Sequence, residues 1–157
     1  MCIRKKIKVN IKKGGKGIME EVQKLKDLAT EGDPTAQNDL GLKYEENENY
    51  IEALEWFQKA AEQGNEYALC NLGRFYMEGI GVDESPKKAI KYFLAAAEMG
   101  NADAQFNVGL AYGKGVGVEQ NLSEMARWMR KAEKNGNEYA KELVKEFPPD
   151  IYPPDFN

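Results

Sequence analysis

The sequence predicts an all-α protein, a solenoid of stacked helical repeats, and the prediction rests on internal repetition. A pattern of alanine, an aliphatic residue, glycine and tyrosine occurs in 36–44, 68–76 and 104–112. A second block, which ends at a glycine, follows each copy in 53–64, 89–100 and 125–136. The shared glycine of the first block advances by 32 and then by 36 residues. Two helical blocks in a period of about 35 residues are typical of an α-solenoid.

Composition narrows the possible functions. At 157 residues the chain has the length of one domain, and it contains no histidine. This excludes Ser-His-Asp and Cys-His catalytic systems and His-ligated zinc, and we expect no metal and no cofactor. No apolar run approaches the roughly 20 residues of a membrane span. Because Cys2 and Cys70 are isolated and no signal peptide is evident, we expect reduced thiols and a cytoplasmic protein.

Charge is unevenly distributed along the chain. Residues 1–17 hold seven of the 22 Lys and Arg residues and none of the 26 Asp and Glu residues. The other 140 residues therefore carry 15 bases and 26 acids, a net charge of −11. Such a surface repels the phosphates of nucleic acids and attracts basic proteins. The charge predicts a protein or peptide partner, with a basic one favoured, and no nucleic acid.

The chain divides into three segments. Residues 1–17 are predicted to be a basic flexible tail in which a glycine cluster forms a linker. Residues 18–146 are predicted to form the solenoid, with helices near 18–31, 35–46, 50–63, 67–78, 86–99, 103–114, 122–135 and 138–146. Residues 147–157 contain two Pro-Pro pairs, which favour an extended path. The apolar side chains of this tail are predicted to cover the end of the solenoid: Phe147, Ile151 and Tyr152.

Helix boundaries follow from residues that favour helix ends. The second helix of each unit is expected to begin after an N-cap side chain at one repeat position, occupied by Asn49, Ser85 and Asn121. Pro86 follows Ser85 at the first helical position, where no backbone N–H is needed. Glycines in the left-handed conformation are expected to end the second helices and the helix that precedes the first unit, at Gly32, Gly64, Gly100 and Gly136.

One face of the first helix in each unit is predicted to be buried. Three residue types recur there every four positions, as Ala36/Leu40/Tyr44, Ala68/Leu72/Tyr76 and Ala104/Val108/Tyr112. A glycine beside this stripe, at Gly41, Gly73 and Gly109, lowers helix propensity relative to alanine. We expect that close approach of an adjacent helix requires it. The fourth copy has Lys145 at that position, which predicts that 138–146 forms a cap.

These blocks resemble Sel-1-like repeats, relatives of the tetratricopeptide repeats with a longer connecting loop. The family pattern of Ala-x-x-x-Leu-Gly-x-x-Tyr, a Gly-x-Gly-Val loop and an aromatic-x-x-x-Ala helix is met closely by 66–101 and 102–137. The first unit departs from this pattern. The stretch 45–48, which reads Glu-Glu-Asn-Glu, replaces the glycine loop, and the first unit is four residues shorter than the second. The resemblance implies an α/α right-handed superhelical solenoid of about three repeats with flanking half-repeats. It also implies a scaffold for protein complexes.

The resemblance further implies where a partner binds. In tetratricopeptide-like solenoids the first helix of each unit lines a groove on the side away from the buried stripe. The corresponding positions are predicted to form a protein-binding groove: Asn38, Leu42, Tyr67, Cys70, Arg74, Met77, Phe106, Leu110 and Tyr139. Exposed aromatic and Arg side chains suit protein recognition. The alternative is that several are half-buried spacers between neighbouring first helices. We expect a monomer that binds a peptide or protein in this groove.

Two other functions have some support in the residues. An inhibitor or immunity-type protein that occludes a basic effector would attract its target through the −11 body. Ser85-Pro-Lys-Lys88 matches the Ser-x-x-Lys of penicillin-binding enzymes and β-lactamases, but their Ser-Asp-Asn and Lys-Thr-Gly elements are absent. Helix capping accounts for Ser85. The Gly-rich stretch 113–117 follows a helix instead of a strand, which predicts a repeat loop and not a nucleotide site. We therefore expect a non-enzymatic protein.

Overall fold

The computed structural model describes residues 15–146, and this part of the chain consists of eight helices joined by short turns and loops. The helices are α1 Gly15–Glu31, α2 Pro34–Glu46, α3 Tyr50–Glu62, α4 Glu66–Glu78, α5 Pro86–Glu98, α6 Ala102–Lys114, α7 Leu122–Lys134 and α8 Glu138–Val144. All eight predicted helices are confirmed, with ends that differ by at most three residues. α1 begins at Gly15, so the last residues of the predicted linker belong to its first turn.

Two predictions concern residues outside this range. The remainder of the basic tail precedes Gly15, and the tail 147–157, with Phe147, Ile151 and Tyr152, follows the last described residue. Both predictions therefore lie outside the described residues. Within 15–146, no helix is both long enough and apolar enough to cross a membrane.

The helices form consecutive pairs. Three repeats are made by α2 and α3, α4 and α5, and α6 and α7, with α1 and α8 as single helices at the two ends. We call α2, α4, α6 and α8 the A helices, and α1, α3, α5 and α7 the B helices. Each helix packs against the one before it and the one after it. The described core is accordingly a series of apolar clusters along the stack, as expected of a solenoid.

The predicted stripe of the A helices is buried. In α4 and α6, Ala68, Leu72, Ala104 and Val108 are almost completely inaccessible. The tyrosine of the α4 stripe, Tyr76, is also buried and stacks on a tyrosine of α5, with ring centroids 5.5 Å apart. Tyr44 and Tyr112, the last residues of the two other stripes, are half-buried. The four-residue spacing therefore identified the face that the A helices turn toward the B helices, although it is not buried completely at the tyrosine positions.

The glycine beside the stripe allows the two helices of a repeat to approach closely, which confirms the prediction. A Cβ on Gly73 would lie 2.5 Å from a ring carbon of Phe93, well inside the roughly 3.5 Å at which carbon atoms make favourable contact. The ring thus occupies the space of the absent side chain. The same relation joins glycine to a B-helix side chain in the other repeats, as Gly41 to Phe57 and Gly109 to Met129.

Loop glycines determine part of the packing between repeats. Gly81 and Gly117, in the loops after α4 and α6, have φ angles of 63° and 74°, which side chains rarely adopt. A Cβ on Gly81 would lie 2.8 Å from the Cβ of Tyr50. A Cβ on Gly117 would lie 2.5 Å from the carbonyl oxygen of Pro86. Each loop therefore rests on the first turn of the B helix in the preceding repeat.

The N-caps of the A helices were missed by the sequence analysis. Each A helix begins after an aspartate or asparagine whose side-chain oxygen accepts a backbone N–H three residues later, at Asp33, Asn65, Asn101 and Asn137. Asn65 also donates to the carbonyl of Pro34, at 3.2 Å, and Asn137 donates to the carboxylate of Asp103, at 2.8 Å. These two side chains therefore cap one A helix and bind the first turn of the previous one.

The predicted caps of the B helices are confirmed in part. Asn121 accepts the N–H of Glu124 at 3.0 Å, as an N-cap should. Asn49 and Ser85 occupy the N-cap position without a side-chain hydrogen bond, so the prediction is wrong for these two. The backbone N–H of Ser85 donates instead to the carbonyl of Tyr76 at 2.7 Å. The predicted left-handed glycines are confirmed, with positive φ at Gly32, Gly64, Gly100 and Gly136.

A buried glutamine joins three helices in the first and third repeats. Gln37 of α2 donates to the carbonyl of Ala29 in α1 at 3.1 Å and accepts from Gln63, after α3, at 2.7 Å. The equivalent Gln105 makes the same two bonds between α5 and the end of α7, both at 2.9 Å. The second repeat has the half-buried Leu69 at this position. Polar and apolar contacts thus alternate along the stack at one repeat position.

We predict that Gly73→Ala lowers the free energy of unfolding by about 1–3 kcal/mol, because its methyl group meets the Phe93 ring. This loss exceeds the gain of about 1 kcal/mol in helix propensity, and Gly73→Leu should lose more. Gly109→Ala is the matched control, since the flexible Met129 can move aside, and its loss should be smaller. Urea denaturation measures both. A Gly73→Ala protein as stable as the parent would contradict the role of this close approach.

Candidate functional site

The predicted groove residues lie on the A helices, whose side chains meet at three junctions. The first junction lies between α2 and α4, the second between α4 and α6, and the third between α6 and α8. We call the side of the A helices that carries these junctions the groove face. Because the repeats share one register, the three junctions can be compared position by position.

Polar side chains close the first junction. Asn71 donates to the side-chain oxygen of Asn38 at 3.0 Å, and both residues are buried. Arg74 forms an ion pair with Glu45 at 2.8 Å, with 13% and 5% of the two side chains exposed. Leu42 is half-buried against the apolar cluster of the first repeat. Arg74 was predicted to face an open groove, but its guanidinium group is mostly buried and joins two repeats.

Aromatic and aliphatic side chains fill the third junction. The rings of Phe106 and Tyr139 have centroids 6.1 Å apart and planes tilted by 37°. Phe106 and Leu110 are half-buried against a cluster that includes Met129 and Val144. Tyr139 remains 58% exposed. The alternative of half-buried spacers therefore applies to Phe106 and Leu110, whereas Tyr139 presents its ring to solvent.

The second junction contains a cavity of about 210 Å³. The cavity is lined by Arg74, Met77, Glu78, Phe93, Asn107, Leu110, Ala111, Lys114 and Val116. The structure thus brings together three of the predicted groove residues, Arg74, Met77 and Leu110. Small-molecule sites typically measure about 300–1,000 Å³. This cavity is smaller, and its volume suits one side chain of a protein partner better than a cofactor.

The two other predicted residues on α4 differ in accessibility. Tyr67 is 41% exposed near the start of the helix. Cys70 is 2% exposed and disulfide-bonded, so both its place in an open groove and its expected reduced thiol are wrong. The other cysteine of the sequence, Cys2, lies outside the described residues. The cytoplasmic location, which relied on reduced thiols, stays a prediction.

Six residues that line the cavity were not predicted: Glu78, Phe93, Asn107, Ala111, Lys114 and Val116. The family resemblance indicated positions on the A helices alone, whereas residues of a B helix and of a loop, Phe93 and Val116, also line the cavity. One sequence signal was available. Glu45 and Arg74 form the ion pair of the first junction, and the residues at the same repeat positions one unit later are Met77 and Leu110. That exchange removes the ion pair where the cavity occurs.

Asp39 is a half-buried carboxylate on α2, at a register where the next two A helices have asparagine. Burial raises the pKa of Asp39 above its ordinary value of 3.8, a hydrogen bond from Asn38 opposes this rise, and the negative charge of Asp33 adds to it. The folded state therefore disfavours the charged form relative to the unfolded state. As a result, an ionised Asp39 lowers the stability of the protein at neutral pH.

The residues that suggested catalysis have other contacts. Ser85 is the residue before α5, and the ammonium group of Lys88 lies 5.3 Å from the centroid of the Tyr76 ring. The stretch 113–117 ends α6 and forms the loop whose Gly117 contacts the preceding repeat, which confirms the predicted repeat loop. Among residues 15–146, no group of three or more Cys, Asp or Glu side chains is placed to hold a metal ion.

Comparison with known proteins extends these findings. The family model of the Sel1 repeat matches residues 34–65, 66–101 and 102–137, which confirms the resemblance stated from the sequence. A Sel1 repeat protein from Oxalobacter formigenes is 31% identical with a TM-score of 0.75, and the match covers 78% of this chain and 51% of that protein. Curated protein sequences give no match.

Two further solved structures are similar. The protective antigen c5321 of uropathogenic Escherichia coli, which displays an SLR fold, is 30% identical with a TM-score of 0.78; the match covers 88% of this chain and 32% of the antigen. Cysteine-rich protein B of Helicobacter pylori shares the fold at 22% identity and a TM-score of 0.67, over 84% of this chain and 98% of that protein. The chain spans about half the length of the Oxalobacter protein and a third of the antigen.

We predict that Arg74→Ala lowers the free energy of unfolding by about 3 kcal/mol or more, because it removes the guanidinium group from the buried Glu45 carboxylate. The double variant Arg74→Ala/Glu45→Ala removes both charges and should be more stable than Arg74→Ala alone. Urea denaturation of the three proteins measures the coupling. A loss below about 1 kcal/mol for Arg74→Ala would show that this pair behaves like an exposed surface pair.

We predict that Asp39→Asn raises the melting temperature at pH 7, because the folded state disfavours the Asp39 carboxylate. The stabilisation should be complete above the raised folded-state pKa and vanish below about pH 3.8, where the carboxyl group is protonated in both states. Thermal unfolding between pH 3 and pH 8 measures it. The control is Glu142→Gln, since Lys145 lowers the pKa of Glu142, and this variant should not be stabilised at any pH. A constant difference across the range would contradict the assignment to Asp39.

Proposed function

The chain belongs to the Sel1 repeat family, whose members generally mediate protein–protein interactions, and from this premise we propose that it binds a protein or peptide along its groove face. In this proposal the protein is a non-enzymatic recognition module. The A helices present the binding surface, and the B helices and loops hold the A helices at a fixed spacing. The observation that carries the proposal is the cavity of the second junction, which opens beside exposed side chains of the A helices.

The exposed side chains of the groove face support protein recognition. Tyr67 and Tyr139 occupy the same register in α4 and α8, and 41% and 58% of these residues are exposed. Lys114, at the end of α6, is exposed and lines the cavity. Tyrosine is enriched among the residues that contribute most to protein interfaces, because its ring buries a large area and its hydroxyl group retains a hydrogen bond. These residues give the groove face the chemistry of a protein-binding surface.

The charge distribution favours a basic partner at one end of the stack. Residues 20–78 carry 14 acids and five bases, whereas residues 79–146 carry ten of each. The excess negative charge therefore belongs to α1–α4, and the first junction and half of the second lie within this region. Local charge of this kind raises the rate of association with a positively charged protein.

The test uses a triple variant that removes two exposed side chains of the groove face and one half-buried side chain of the cavity wall: Tyr67→Ala, Lys114→Ala and Met77→Ala. Arg74 and Phe106 stay unchanged because both hold the stack together. The matched control is Ile51→Ala, Lys91→Ala and Met99→Ala, which removes exposed side chains from two B helices and from the residue that follows α5.

We predict that the triple variant loses affinity for its partner about tenfold or more, while its melting temperature falls modestly, because Met77 alone among the three packs against a core cluster. Capture from the native cell with the parent protein, followed by mass spectrometry, identifies the partner, and calorimetry with the purified partner measures the affinities. The B-helix control should bind like the parent. Full affinity in the folded triple variant, or an equal loss in the control, would exclude the groove face.

The acidic half favours a second candidate, an inhibitor that occludes a basic effector. Such a complex depends on long-range attraction, which salt screens over about 10 Å at 0.1 M. Its association rate should fall steeply between 0.05 M and 0.5 M salt, to a degree that a partner held mainly by apolar contacts does not show. Stopped-flow association with the captured partner distinguishes the two.

A further inference from the structure

The second junction differs from the first at two comparable positions. In the first junction, Glu45 of α2 meets Arg74 of α4 in an ion pair. The residues at the same repeat positions in the second junction are Met77 of α4 and Leu110 of α6, and both line the cavity. Two apolar side chains therefore replace a bonded pair of charges, and a space remains between the A helices at that point.

The third junction shows that aromatic rings fit between successive A helices of this solenoid. Phe106 and Tyr139 lie together there with ring centroids 6.1 Å apart. At the equivalent positions the second junction has Cys70 and Asp103, which carry no ring. The second junction thus lacks both the ion pair of one neighbour and the ring pair of the other.

We propose that the cavity of the second junction is a socket for one aromatic side chain of the partner. The inference rests on the proposed function of the groove face, and it adds the chemical class of the residue that the partner inserts. The partner's ring takes the place between α4 and α6 that the Glu45–Arg74 ion pair takes between α2 and α4.

The volume of the cavity and the charges that line it favour an uncharged aromatic side chain. A space of about 210 Å³ is small for a free ligand, and aromatic residues are enriched at protein interfaces. The thioether of Met77 makes favourable contacts with aromatic rings. Arg74 is neutralised by Glu45, and the two other charges that line the cavity, Glu78 and Lys114, have opposite signs. The lining therefore has no net charge that would draw an ionic side chain.

The test is a methyl NMR titration of the protein, labelled at its methionine and leucine methyl groups, with N-acetyl-phenylalanine amide. The methyl signals of Met77 and Leu110 should shift and saturate, with a dissociation constant on the order of 1 mM, as expected of a single side chain. N-acetyl-alanine amide, which lacks the ring, should leave them unchanged. Met99, which is exposed just after the end of α5 and does not line the cavity, is the internal control. Absence of a saturable shift, or an equal shift of Met99, overturns the proposal.

Filled-cavity variants confirm the location. Leu110→Phe and Met77→Phe each add volume to the wall, and each leaves the other methyl group as a reporter. Either folded variant should lose the saturable shift, and a folded variant that still binds the probe at the original affinity overturns the socket. Two variants are needed because overpacking can unfold one of them. The titration of the parent protein decides the proposal by itself should neither fold.

The captured partner separates this inference from the proposed function. If the triple variant of the groove face and Leu110→Phe each fail to bind the partner, the result supports both the proposed function and the aromatic socket. Loss by the triple variant alone, with full binding by a folded Leu110→Phe, overturns the socket and leaves the groove face as the binding surface. Full binding by the triple variant overturns the proposed function, whether or not the cavity takes the isolated ring.

Discussion

The contact between a glycine of each A helix and a side chain of the following B helix sets the spacing on which the solenoid depends. At Gly73 the Phe93 ring lies where a Cβ would be, so the two helix axes are closer than helices with larger side chains allow. That closeness buries the alanine stripe of the A helix and leaves the opposite side of the helix available for contact with other A helices. The junctions of the groove face therefore depend on a contact at the other side of the same helix.

The spacing of the helices is shared by all three repeats, but the three junctions between A helices differ in their contacts. An ion pair and an amide pair close the first, a cavity lies in the second, and aromatic rings fill the third. In a repeat stack each unit contacts its neighbours alone, and stability is approximately a sum over units and interfaces. One junction can consequently lack a stabilising pair and contain a cavity without loss of the remaining interfaces. The second junction has the composition that this division of roles requires.

Polar side chains hold the frame at its edges. Gln37 and Gln105 each bond to one B helix and to the residue that follows the next B helix. Asn65 and Asn137 each cap one A helix and bond to the previous one. No buried side-chain polar atom in the described part of the chain lacks a hydrogen-bond partner, and unpaired polar groups are costly inside a protein. Asp39 is a different case, because burial opposes its charge while its neighbours in register are asparagines. The ionised Asp39 carboxylate therefore lowers the stability of the folded state.

The sequence by itself determined the repeat boundaries, the eight helices, the buried stripe and the glycine contacts. These features depend on spacing along one helix and on residue types with strong local preferences. Tertiary structure decided which groove positions are accessible. Asn38 and Tyr67 both met the rule for a groove-facing position, yet Asn38 is bonded across the first junction and Tyr67 is exposed. The cavity could not be predicted from the sequence either, because residues of two A helices, a B helix and a loop line it. Contacts across a junction depend on pairs of residues more than 25 positions apart, and no local pattern specifies whether such a pair bonds, packs or leaves a space.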